Sequence, residues 1–95
     1  MASITPARER DEVVVVGRER PYRYALDIIV RMNQGSDNIT IVGRDKNISK
    51  AITVYNILRD RLGDALELRE VNIGSMYSKR NRRISYIEIK ISRKI

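Results

Sequence analysis

The chain predicts an α+β fold: a β-α-β-α-β-β two-layer sandwich with a mixed four-stranded sheet, two helices on one face and a protruding C-terminal β-hairpin. Three observations lead there. Strand-like runs alternate with two amphipathic helical stripes, which calls for right-handed crossovers and helices packed on a sheet. Two further strand-like runs close the chain, separated by Met76 to Arg82, a stretch too long for a two-residue turn. In both of these last runs the apolar phase slips, as expected of strands whose outer half leaves the domain core.

Taken in order, the opening residues combine Pro6 with Arg8, Glu9 and Arg10 and show no periodicity. Residues 1–11 are therefore expected to form a flexible N-terminal arm and residues 12–95 the domain. Val13 to Val16 is a β-branched run closed by Gly17, expected as a strand covered on both faces. Tyr22, Ala25, Ile28, Ile29 and Met32 then fall on one helical stripe, with Gly35 placed for a left-handed cap. Asn38 to Gly43 is a short strand with Ile39 and Ile41 on one face.

A second helix is predicted from Ile48 to Leu62, with Asn47 as N-cap and Gly63 as its end. Its apolar face holds Ile48, Ala51, Ile52, Tyr55, Leu58 and Leu62. In "ALELREVNIG", Leu66 and Leu68 are out of phase with Val71 and Ile73, so either a bulge lies near Glu70 or the strand buries different faces along its length. In "RISYIEIKI", Ile84 and Tyr86 are out of phase with Ile87, Ile89 and Ile91.

The 95 residues suffice for one small domain. Absence of cysteine and histidine removes disulfides, thiol chemistry, ordinary zinc sites and the usual general base, so neither catalysis nor a metal or other cofactor is expected. The first twelve residues lack the apolar stretch of a signal peptide, and nowhere do eighteen apolar residues run together. A soluble, cytoplasmic protein is expected, and the two sequons at Asn38 and Asn47 carry no weight in that setting. Fourteen isoleucines under a densely charged surface are a composition common in hyperthermophile proteins.

A formal charge of +7, mostly from arginine, points to a phosphate-bearing partner, with nucleic acid first and an anionic membrane second. Three segments concentrate the charge. The hairpin tip holds Lys79, Arg80, Arg82 and Arg83 with no acidic neighbour; a solvated turn and a ribbon that enters a nucleic-acid groove both fit it. "GRDKNISKA" sets Arg44, Lys46 and Lys50 around a helix start, where phosphate contact and simple capping both fit; a Walker loop does not. "GRERPYRY" offers Arg18, Arg20 and Arg23 beside Tyr22 and Tyr24, where tyrosine next to arginine can stack on bases, but Tyr22, being on the apolar stripe, is expected rather to pack in the core.

"NQG" closing the first helix, "ISKA" opening the second, "VNIGS" before the basic hairpin and "RRISYIEIKI" after it resemble the Alba family of small, basic archaeal chromatin proteins. The resemblance runs from about Glu12 to Arg93. It implies a domain like the C-terminal domain of translation initiation factor three, paired as a dimer whose two hairpins reach into minor grooves. It further implies a non-catalytic architectural protein of the nucleoid that packages double-stranded DNA with little sequence preference, through Arg18, Arg20, Arg44, Lys46 and Lys50 of the body and Lys79, Arg80, Arg82 and Arg83 of the arm. RNA binding, or a structural place in a ribonucleoprotein such as ribonuclease P, is the alternative.

Two departures stand out. Many family members carry Lys-Lys after the first-strand glycine, and acetylation of a lysine there is associated with weakened DNA binding; Arg18-Glu19-Arg20 keeps the charge but does not take that modification. Leu62 stands where some members use an aromatic side chain between neighbouring dimers, so dimer–dimer contact there is expected to be weaker. "VYNILRDRLGD" and "NRRISY" also resemble the family's second paralogue, which makes a heterodimer with another Alba chain an alternative to the homodimer.

Overall fold

The computed structural model describes residues 11–94, and residues 1–10 of the expected arm lie outside them. Asp11, expected in that arm, already pairs with Asn38 as the first residue of β1 (Asp11–Val15). There follow α1 (Pro21–Asn33), β2 (Asn38–Arg44), a 3-10 turn (Asp45–Asn47), α2 (Ile48–Leu62), a second such turn (Gly63–Ala65), β3 (Leu66–Tyr77) and β4 (Arg83–Arg93). The sheet order is β1-β2-β4-β3, with β1 parallel to β2 and the other pairs antiparallel. This is the predicted mixed four-stranded sheet. Both helices pack on one face, where Ala25, Ile28 and Met32 of α1 and Ala51, Val54 and Leu58 of α2 meet Val14, Ile39, Ile41, Ile87, Ile89 and Ile91 of the sheet. Each fully buried valine, leucine, isoleucine or methionine among these contributes about 1.5–3 kcal/mol.

Four expectations are corrected. β1 is not covered on both faces: Val14 and Val16 are buried beneath the helices, but Val13 and Val15 are 61% and 50% exposed on the open face of an edge strand. A β-branched run reports strand propensity, whereas its cover depends on strand order. Tyr22 is exposed rather than packed in the core, and its contact is with a surface cation: Arg61 of α2 stacks over its ring at 5.2 Å and donates to its hydroxyl at 3.1 Å. On α2 the buried set includes Val54, which the stripe omitted, while Ile52 is exposed. Asn47 does stand at the N-cap, yet its side chain makes no capping bond; the 3-10 turn leads the chain into the helix instead.

The phase slips resolve differently in the two long strands. In β3 the register shifts between Leu68 and Glu70, which leaves Arg69 as the extra residue of a bulge. That bulge turns Leu66, Leu68, Val71 and Ile73 to the same face of the sheet, the helix side. β4 has no such shift: Ile87, Ile89 and Ile91 face the helices while Ile84 and Tyr86 face the other way. There Tyr86 lies across Gly74, where a Cβ would come within 2.6 Å of the tyrosine hydroxyl.

An ion-pair cluster ties β1 to the end of α1. The Glu12 carboxylate accepts from the Ser36 hydroxyl and from the Arg31 guanidinium, which also pairs with Asp27. The Ser36 hydrogen bond foremost, and Arg31 after it, lower the Glu12 pKa from 4.5 against an opposing desolvation. A carboxylate whose folded pKa lies below its unfolded value stabilises the fold fully above the unfolded value, and that contribution is lost as pH falls through the folded one. Thermal melts between about pH 5 and pH 2 should therefore drop more steeply for the wild type than for Glu12→Gln, modestly because the site is partly solvated. Parallel curves for the two proteins would count against this role.

Candidate nucleic-acid interface

Three connections bring the basic residues together. The first is the turn from β1 to α1, where Arg18, Glu19 and Arg20 are exposed. Its backbone is held from both sides. The Tyr24 hydroxyl accepts from the N–H groups of Gly17 (2.8 Å) and Glu19 (3.2 Å), and the Lys50 ammonium donates to the carbonyls of Gly17 (2.6 Å) and Glu19 (3.1 Å).

The second connection leaves β2 through Arg44 and turns sharply at Asp45, whose φ of 51° is left-handed, a region that aspartate tolerates better than most residues. Gly43 permits this close approach: a Cβ there would stand 2.5 Å from the Asn47 carbonyl oxygen and 2.8 Å from the Ala51 Cβ. Arg44, Asp45 and Lys46 project to solvent, while Lys50 is half-buried on the first turn of α2.

The third is the hairpin. β2 pairs with β4 only as far as Arg44 opposite Tyr86, so beyond that point Ser75–Tyr77 and Arg83–Ser85 pair with each other alone. At about 3.3 Å per residue these three pairs carry the ribbon roughly 10 Å past the body, before its connecting loop. Its connecting loop is Ser78–Arg82, shorter than the expected seven residues because pairing continues to Tyr77 opposite Arg83. The loop is ordered by its own bonds. Ser78 N–H donates to the Arg82 carbonyl (2.8 Å), its hydroxyl accepts from the N–H groups of Arg80 and Arg82, and Asn81 takes a φ of 62°. Lys79, Arg80, Arg82 and Arg83 are all exposed, and the Arg83 guanidinium donates to the Ser75 hydroxyl.

Arg44, Lys46 and Arg82 line an open concavity of about 760 Å³ together with Asp45, Asn47 and Ile84. Gly17, Arg18, Lys46, Asn47 and Lys50 line a neighbouring cleft of about 420 Å³. Lys46 and Asn47 belong to both, so the turn after β1, the turn after β2 and the base of the arm form one basic band. Two acidic side chains lie within it: Glu19 is exposed between Arg18 and Arg20, and Asp45 pairs with Arg82 at 3.5 Å, a solvent-exposed contact of little strength.

Residues 11–75 match the Alba family. The chain belongs to the Alba family. It is 45% identical over 83 residues to the DNA/RNA-binding protein Alba 2 of Saccharolobus solfataricus, covering 87% of this chain and 92% of that relative, and equally to Alba 2 of Saccharolobus shibatae. Alba from Thermoplasma volcanium superposes with a TM-score of 0.73 at 28% identity, over 85% of this chain and 99% of that one. ALBA1 from Trypanosoma brucei gives 0.76 over 86% and 68%, at 16% identity, a likeness of fold alone.

Of the residues that the Alba resemblance implicates, Arg18, Arg44, Lys46, Lys50 and Arg82 converge on the two concavities, Arg20 lies beside them on the first turn, and Lys79, Arg80 and Arg83 stand on the arm. Leu62 is elsewhere. It is half-buried against the core and lines a small groove with Ile29, Met32 and Ala65. Sequence reasoning named Tyr24 beside the arginines but not its hydroxyl's hold on the turn, and it missed Asp45 and Ser78 as parts of the site. Ser78 could have been found, since a serine two to four residues ahead of a turn's N–H groups commonly caps them. Nothing in the spacing announces the Tyr24 bonds, which join a helix to a preceding loop. No helix among the described residues is long and apolar enough to cross a membrane.

Proposed function

We propose that this protein is a non-catalytic, dimeric architectural protein that coats and packages double-stranded DNA on the chromosome with little sequence preference. Its basic band would lie on the phosphate backbone and its arms would enter the minor groove. The observation that carries this is the convergence of Arg18, Arg44, Lys46 and Arg82, from segments remote in sequence, on adjoining concavities at the base of a projecting arginine-rich ribbon. Guanidinium groups suit phosphate oxygens through their forked donors, and phosphate contact fixes position without reading bases.

Pairing rests on a second feature. On the helix side of the sheet, β3 lies beyond the cover of α2, and Leu68, Val71 and Ile73 are 41%, 48% and 78% exposed there. Ile52 is exposed on the flank of α2 that also carries Arg59, which reaches the Leu66 carbonyl at the start of β3; the opposite flank carries Arg61 and faces α1. An aliphatic strip of this kind in a highly charged protein suits burial against a second copy. A paralogous Alba chain with a matching strip is the heterodimeric variant of the same reading.

RNA is the second reading, supported by relatives whose name covers both nucleic acids. A-form helices offer phosphates and a broad minor groove to the same band. Titration of random duplex DNA across salt concentrations tests the mechanism, because each neutralised phosphate should contribute a slope of about −0.9 in log K against log salt. Affinity that holds constant from low to physiological salt would sink it. Competition with an RNA duplex of equal length separates the two partners.

A further inference from the structure

We infer that Tyr24 and Lys50 are positioning residues that clamp the turn between β1 and α1, so that Arg18 and Arg20 are presented outward, and that Lys50 acts through this turn rather than on nucleic acid directly. The inference rests on the nucleic-acid reading above for what the arginines meet. The clamp itself is a matter of geometry. Two side chains on the first turns of two different helices grip the same two residues: the Tyr24 hydroxyl takes the N–H groups of Gly17 and Glu19, and the Lys50 ammonium takes their carbonyls.

The consequences follow from what is consumed. With the N–H groups of Gly17 and Glu19 committed to Tyr24, neither can serve as a backbone cradle for an anion, so recognition by this turn falls to its side chains. The two carbonyl oxygens, whose partial negative charge would repel a phosphate, are directed at a buried-side ammonium. Lys50 is half-buried and spends two of its three donors there, which leaves it poorly placed to meet a phosphate as a free cation. Arg18 and Arg20 are exposed on either side of the clamped Glu19 and repel each other, so a loose turn would spread them over many orientations. Holding the backbone lowers the ordering cost at the moment of binding.

The test uses the full chain and two readouts. Amide hydrogen exchange at Gly17 and Glu19 in the free protein reports the clamp, and anisotropy titration of a random DNA duplex reports its use. Tyr24→Phe keeps the ring and the charge while removing the hydroxyl; Lys50→Met removes the ammonium. Each should speed exchange at both amides and weaken binding by about fivefold, the worth of one or two net hydrogen bonds. Tyr24→Phe should leave the salt slope unchanged. In an Arg18→Ala/Arg20→Ala background both substitutions should lose most of their effect on affinity.

The opposite pattern overturns the inference: Lys50→Met keeping its full effect in that background and lowering the salt slope by about one, with Tyr24→Phe inert, would make Lys50 a direct phosphate contact. Unchanged exchange in Tyr24→Phe would dispose of the clamp even if Lys50→Met failed to fold. A wild type that binds neither DNA nor RNA would instead remove the nucleic-acid reading, and with it the use assigned to the clamp, while exchange would still decide whether the clamp exists.

Discussion

Replacing Lys79, Arg80, Arg82 and Arg83 together by alanine should weaken duplex binding at least about tenfold at physiological salt and flatten the salt dependence, while leaving the fold unchanged. All four side chains are exposed, and the tip they decorate is held by Ser78 and by backbone pairing that alanine retains. If every cation meets a phosphate, the log–log slope falls by up to about 3.6 per arm, at roughly 0.9 per contact. The loss should be similar on all sequences, because phosphate contacts carry no base information. Within the protein the Arg82–Asp45 pair and the Arg83–Ser75 hydrogen bond are lost, and at their exposure both are worth little to stability. Salt-series titrations with circular dichroism melts measure both effects. Undiminished affinity in the quadruple variant would place the interface on the body alone.

Ile73→Glu should convert the protein to a monomer and weaken duplex binding by about two orders of magnitude or more, since joining two binding units in one assembly multiplies affinity by 10² to 10⁴. Ile73 is 78% exposed in the single chain, so a carboxylate there costs the isolated fold almost nothing, yet would bury an unpaired charge in a dimer seam. Light scattering should give the wild type twice the 11.0 kDa of one chain and the variant that single mass. A monomeric wild type at micromolar concentration, or a variant that still pairs, would remove the β3 strip from the interface. The two substitutions also separate from each other: loss of the arm cations should leave the dimer intact, and loss of the dimer should leave each arm's charge intact.

Much of the architecture was legible because it depends on local pattern. Alternation of strands with 3.6-residue stripes, Gly35 and Gly63 at positive φ after the two helices, and the slip near Glu70 are each written within a few residues of where they act. The errors share a cause. Apolar character alone points Val13, Val15, Tyr22 and Ile52 to cover or core, but whether each is covered depends on which element lies opposite. β1 proved to be an edge strand, Arg61 took the Tyr22 ring, and α2 stops short of covering β3.

The candidate site divides in the same way. Its cations could be named from charge and spacing alone, since exposure of arginine and lysine in turns hardly depends on context. Their grouping could not, because Arg18, Lys46 and Arg82 are joined only when the parallel β1–β2 pair and the antiparallel β2–β4 pair set three turns side by side. Nor could the part assigned to Lys50, which reads as one more cation until the carbonyls of Gly17 and Glu19 are found within its reach. By itself the sequence determined the elements, their order, the aliphatic core and the sign and location of the charge, all properties of neighbouring residues. Strand order, the uncovered β3 face and the clamped turn were decided by tertiary structure, because each depends on hydrogen bonds and packing between segments that the chain brings together only on folding.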